Sequence, residues 1–352
     1  MNALKWKIFL SNNLPTGLFL LLSRIYRLGA VVWSKLPGIN ASQKGLAIRV
    51  AQRSLSEADH ELLTHQSDPR LRHWNEAFAA YEDRDAKRVL DLAWVHKPVG
   101  GNFGDWLSPY LVHGASGTAL NHVDLGAARK RQHILSLGSI ISQANANSVV
   151  LGSGINSIKD AINPAARYLM VRGHITREAL PANARSQDIP CCDPGFFIRE
   201  LYQPHPVENN RSSRLLIPHV NHQRLFSTIH NPNFELLSAN VSRPLDIEAL
   251  IDRIAAADEV VTSAMHIFVT CCAYGVRCGL IKPVVADVIV PGDGIKYRDC
   301  MTPVISSDFA PQSVEIREGF RIEDEVGTKV FNIDFAHIQK SFSLYRSFLK
   351  GI

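Results

Sequence analysis

The stretch "EVVTSAMHIFVTCCAYGVRCGLIKP", residues 259–283, decides the fold. "EVVTS" is a short β-branched run suited to a buried strand, "MHIFVTCCAYG" reads as a helix, and "CGLIKP" is a second buried strand. Strand, helix and strand in immediate succession make the βαβ unit of a parallel sheet. Thr262 and Ser263 are placed to cap the helix, and His266 falls in its first turn.

Outward from this unit the same texture recurs. Short apolar runs lie at 89–95, 133–139, 148–154, 167–173, 214–220 and 234–239, and amphipathic stretches such as "NFGDWLSPYLVHG" and "DIEALIDRIAAA" lie between several of them. The Pro/Asn/Ser-rich segment "QPHPVENNRSS" (203–213) divides the series. The expected architecture is therefore α/β, with two Rossmann-like domains facing a cleft, at 89–202 and 213–310. A helical N-terminal extension (1–88) precedes them, and a C-terminal segment (311–352) ends in a helix.

Composition agrees with a soluble globular enzyme-sized chain. With 352 residues, 46% hydrophobic and 20% charged, it has material for about two domains. A net charge of +5 fits an anionic small ligand and is too weak, without basic runs, to argue for nucleic acid. The six cysteines, at 191, 192, 271, 272, 278 and 300, show no C-x-x-C spacing, and no metal-ligand cluster stands out. A reduced, cytoplasmic compartment is expected, with Cys271 and Cys272 acting as small buried apolar groups. Near the N-terminus, Leu18, Leu21, Leu22, Ile25 and Leu28 recur at helical spacing beside Arg24, Arg27 and Lys35. That pattern fits either a helix packed on its own core or one lying at the inner face of the cytoplasmic membrane, and the uncharged run is too short to span it.

In open parallel sheets, ligands bind beyond the carboxyl ends of the strands, so candidate site residues are sought there. Asn102, Gly104 and Asp105 follow the first strand; Gly152, Ser153 and Gly154 follow "VVL"; Arg172 follows "YLMV", with Arg177 one turn later; Ser263 and His266 follow "EVV". Glycines let a ligand approach backbone, guanidinium groups pair with planar anions, and a first-turn histidine can bind an anion or move a proton near neutral pH. His266 and Asp105 are the candidate catalytic groups; the others are candidate substrate contacts. Lys282, Lys296 and Arg298 are weaker candidates for the same anion. Each feature alone has a plain structural alternative: a turn, a cap or a salt bridge. Their shared topology is what points to one site.

The ordered set "GGNFGDWLSPYLV", "LSLGSII", "VLGSGI", "VRGHITREAL", "DPGFF", "VVTSAMHIFVTCCAYGVRCGLI" and "GIKYRDC" resembles the polysaccharide pyruvyltransferase family over roughly residues 89–306. The "AMH" and "KYRD" elements are most similar to its exopolysaccharide branch. The resemblance implies a GT-B-like fold. It also implies transfer of the pyruvate unit of phosphoenolpyruvate onto two hydroxyls of one sugar in a surface polysaccharide or its lipid-linked precursor, with Arg172 and His266 in functional positions. It implies no cofactor beyond the phosphoenolpyruvate donor. A nucleotide-sugar glycosyltransferase and a non-catalytic sugar-binding protein of the same fold are the alternative expectations.

Overall fold

Each of the eight apolar runs forms a strand, and the strands assemble into two parallel sheets. The computed structural model describes residues 76–352 apart from 84–85, 97–100, 126–130, 207–212, 230, 285–291 and 318. The amphipathic stretch near residues 17–35 lies outside the described residues.

The first half runs β1 (Val89–Ala93), α1 (Phe103–Ser116), β2 (Ala119–Val123), β3 (His133–Leu135), β4 (Ser148–Leu151), β5 (Arg167–Met170), α2 (His174–Ala179), α3 (Ala182–Arg185) and α4 (Ile198–Leu201). Its strands are ordered β2-β1-β3-β4-β5. The second half runs β6 (Arg214–Ile217), α5 (Gln223–Ser227), β7 (Glu235–Leu236), α6 (Pro244–Ala255), β8 (Glu259–Thr262), α7 (Met265–Tyr274), β9 (Cys278–Val284), α8 (Ile295–Asp299) and β10 (Gln312–Glu315), followed by α9 (Ile322–Glu325) and α10 (Phe335–Gly351). Its order is β10-β9-β8-β6-β7. In the opening stretch β8 pairs in parallel with both β6 (Val261 beside Leu216) and β9 (Val261 beside Gly279).

Burial explains why these segments take these forms. Val260, Val261, Leu215, Leu216 and Ile217 are almost fully buried, as befits central parallel strands covered on both faces. Helix α1 sinks Phe103, Trp106, Leu107 and Leu111, and α7 sinks Ile267, Phe268, Val269, Cys271 and Cys272. Each large apolar side chain so buried stabilises the fold by about 1.5–3 kcal/mol relative to exposure. Both helices end at a glycine in the left-handed conformation, Gly117 and Gly275.

The chain's last segment is divided differently from the expectation. β10 lies beyond residue 310 yet extends the second sheet beside β9. Helix α10 returns to the first half: Tyr345 shares a 2.7 Å hydrogen bond with Ser136, its ring lies 5.1 Å from Phe197, and Arg88 donates to the Leu349 carbonyl. Among the described residues, no helix is long and apolar enough to cross a membrane.

Candidate functional site

A cavity of about 360 Å³ lies beyond the carboxyl ends of strands from both sheets. Asn102, Gly104 and Asp105 reach it from the start of α1, Ser139 from beyond β3, and Asn156 from beyond β4. His219 and Asn221 come from beyond β6, Ala264 to His266 from beyond β8, and Lys296 and Tyr297 from α8. The topology thus brings together Asn102, Gly104, Asp105 and His266 of the ten main candidates expected from the sequence, and adds several residues not expected there.

The His266 side chain is closely enclosed, only 11% exposed. Its ring is held between two glycines. At Gly104 a Cβ would collide with Nδ1, and at Gly195 a Cβ would press on Cδ2 at 3.4 Å. Behind the ring stands Asp193, wholly buried, with Oδ2 at 3.9 Å from His266 Nε2. That separation is too long for a hydrogen bond, and neither atom has any other partner among the described residues. Asp193 Oδ1 accepts from Gly195 N at 2.8 Å, which fixes the carboxyl plane. Burial, then the charges of Arg172, Lys296 and His219, push the imidazole down to about 3, so it is neutral. Burial raises the Asp193 carboxyl to about 6, against the pull of Arg172. The 3.9 Å approach is therefore an ionised carboxylate beside a neutral ring near neutral pH, not a salt bridge.

The expected cap at this helix takes another form. Ala264 is the N-cap residue and has no side-chain bond to give. Thr262 Oγ1 instead accepts from Ala264 N at 2.9 Å and donates to the Ile217 carbonyl, tying the strand end to β6. Ser263 is buried and absent from the cavity wall; its Oγ accepts from His219 N at 3.0 Å and bonds His222 Nδ1 at 2.8 Å. It shapes the loop that carries His219 and Asn221.

Asp105 lies in the first turn of α1 on the cavity wall. Burial raises its carboxyl to about 7, opposed by a 2.8 Å hydrogen bond from the Asn102 amide and by the charge of Lys296. The Asn102 side chain thus serves Asp105 rather than the helix backbone. Lys296 is lowered to about 8, chiefly by burial and then by Arg172. His219 is lowered to about 4 by burial, Lys296 and His222.

Arg172 stands apart from the expected role. It is fully buried and does not line the cavity. Nε donates to Asp299 Oδ2 at 2.9 Å, Nη1 to Ser139 Oγ at 2.6 Å, and Nη2 to the Ile155 carbonyl at 2.5 Å. Asp299 also accepts from Thr176 N at 2.9 Å and Thr176 Oγ1 at 2.6 Å. The guanidinium is committed to the protein and reaches the cavity only through Ser139 and through its field. Gly152, Ser153 and Gly154 are likewise internal. Gly152 adopts φ +109°, and a Cβ there would strike Pro194. A Cβ on Gly154 would strike the Arg172 guanidinium. Ser153 Oγ donates to the Gly138 carbonyl at 2.8 Å. Arg177 borders a separate surface depression with Glu178 and Arg185. Lys282 and Arg298 are exposed; Lys296 is the member of that weaker group that reaches the cavity.

Asp193, His219, Asn221, Ser139 and Asn156 were missed. His219 and Asn221 obey the strand-end rule, since they follow "RLLI" directly. Asp193, in "DPGFF", looks like turn punctuation in one dimension. No family model, no curated protein and no solved structure matches the chain.

Proposed function

We propose that the chain is a ketal-forming pyruvyltransferase. In this reading it moves the pyruvate unit of phosphoenolpyruvate onto two hydroxyls of one sugar of a surface polysaccharide or its lipid-linked precursor, at the inner face of the cytoplasmic membrane. The two parallel sheets then correspond to the halves of a GT-B-like fold, and the cavity to the cleft between them.

The observation that carries the proposal is the pairing, on one cavity wall, of a carboxyl raised to about 7 with a neutral histidine. Ketal formation needs an acid to protonate the donor's methylene carbon and a base to take a hydroxyl proton. Asp105 is half protonated near neutral pH and fills the first role. His266 fills the second. Burial is the largest cause of its low basicity, and the fields of Arg172, Lys296 and His219 add to it; a bound trianionic donor offsets those fields and so raises the imidazole.

Lys296 and the first-turn N–H groups of α1 and α7 supply favourable potential for the phosphate and carboxylate. The atoms balance without a co-reactant. The methylene carbon gains the Asp105 proton, and C2 is captured by the first hydroxyl. The second hydroxyl then displaces phosphate. Of the two hydroxyl protons, one restores Asp105 and the other leaves on hydrogen phosphate.

The test is incubation with phosphoenolpyruvate and host surface glycan. Phosphate release together with a glycan mass gain of one pyruvic acid less one water is the expected result. Release of nucleotide from a nucleotide-sugar, with phosphoenolpyruvate untouched, overturns it in favour of a glycosyltransferase. Glycan binding with neither release points to a non-catalytic module.

A further inference from the structure

We infer that Asp193 is the positioning carboxylate of His266, the two forming a dyad whose Nε2–H···Oδ2 hydrogen bond closes when the cavity is filled. The inference rests on the reading that His266 is the working base of the cavity.

Three observations lead to it. His266 Nε2 and Asp193 Oδ2 are both buried without a partner and stand 3.9 Å apart. Buried polar atoms in native proteins are almost always satisfied, so two facing orphans mark a place with a purpose. A closure of about 1 Å brings them to ordinary hydrogen-bond length. The second observation is that the surroundings leave the pair no other freedom. Gly104 and Gly195 flank the ring, and any larger residue at Gly104 would occupy the place of Nδ1. The Gly195 N–H holds Oδ1, so only Oδ2 is available to the imidazole.

The third is that nearby charges leave Asp193 ionised without neutralising it. Burial and Asp299 oppose ionisation and Arg172 favours it, but the guanidinium itself donates to Asp299, Ser139 and the Ile155 carbonyl. The carboxylate is thus stabilised at a distance while its Oδ2 stays open to the ring. With Nε2 carrying the proton toward Asp193, Nδ1 is left as the lone-pair atom on the Gly104 side, where the cavity lies. Asp193 touches no substrate. It sets the tautomer and the ring's orientation, and stabilises the imidazolium once a proton arrives.

NMR of the full chain with isotope-labelled histidine reads the tautomer directly, the His266 signal being assigned by its loss in His266→Gln. At neutral pH the wild-type ring is expected as the Nε2–H form. Asp193→Asn is expected to lose that preference, and its kcat for phosphate release from phosphoenolpyruvate should fall about 10²-fold with KM changed by no more than about twofold. An Nδ1–H tautomer in the wild type, or identical His266 spectra in wild type and Asp193→Asn, overturns the dyad. Should Asp193→Asn fail to fold, the wild-type tautomer alone decides. A wild type that shows the Nε2–H form yet releases no phosphate overturns pyruvyl transfer and leaves the dyad standing.

Discussion

The ends of β5 and β8 carry similar signatures and have opposite fates. Each is a short parallel strand, β5 at the edge of its sheet and β8 within its own, followed by a titratable side chain, Arg172 in one and His266 in the other. Arg172 spends its guanidinium on Asp299, Ser139 and the Ile155 carbonyl, within a network that also satisfies Thr176. His266 keeps an unpartnered Nε2 beside an unpartnered carboxylate oxygen, and its ring borders the cavity. A strand end places a polar group near the ligand region; whether that group is available depends on what the rest of the chain has already bonded to it. Completed buried networks rigidify a fold, while incomplete ones await another partner.

That contrast predicts two different failures. Arg172→Met leaves Asp299 as an uncompensated buried charge and should lower the unfolding free energy by about 3–5 kcal/mol, read as a fall in the urea midpoint. His266→Gln should keep the fold within about 1 kcal/mol yet lower kcat by about 10²–10⁴-fold. A stable Arg172→Met protein whose only defect is weaker phosphoenolpyruvate binding would return Arg172 to the site and erase the distinction.

Much of the architecture was legible because parallel strands buried on both faces read as short apolar runs. The two strands not foreseen are sheet edges. β2 carries Asn121 and His122, and β10 (Gln312–Glu315) buries only Val314. Edge strands need only part of their surface apolar, so their signal fades. The site was legible where it depends on local geometry, as for His266 and Asp105 in the first turns of their helices. It was illegible where it depends on distant partners. Arg172 is committed by a residue 127 positions away, and Asp193 meets His266 only through the packing of "DPGFF" beneath α7.

The glycines sharpen the comparison at smaller scale. Gly154 and Gly104 both read as sites of ligand approach, but a Cβ would meet Arg172 at the first and His266 at the second. Gly154→Ala should therefore act on stability, costing about 1–3 kcal/mol through displacement of the guanidinium, with kcat of the folded fraction little changed. Gly104→Ala should move the His266 ring and lower kcat by up to about 10²-fold, with the smaller stability loss. Thermal unfolding and turnover measured on both variants decide the matter. A reversal of the two profiles breaks the assignment of one strand end to the fold and the other to the site.

Asp105 and His266 also pull the pH dependence of stability in opposite directions. The folded Asp105 carboxyl is raised from 3.8 to about 7, so the native state holds a proton that the unfolded chain has released. Its contribution is fully present below about 4 and is lost as pH rises to about 7, beyond which it is flat. The His266 imidazole is lowered from 6.5 to about 3, so the unfolded chain takes up a proton that the native state refuses, and stability rises with pH across that window. Asp105→Asn stays neutral at every pH and removes the first slope alone. Relative to wild type it should gain stability progressively between about pH 4 and pH 7, then hold a constant advantage. Because the carboxyl remains partly accessible on the cavity wall, that advantage should stay well below the roughly 4 kcal/mol that a rise from 3.8 to about 7 gives at about 1.4 kcal/mol per unit, on the order of 1–2 kcal/mol. Denaturation midpoints of the two proteins measured across this range give the difference directly. A difference that does not change with pH would mean that Asp105 is ionised in the folded protein at neutral pH, and would remove it as the acid.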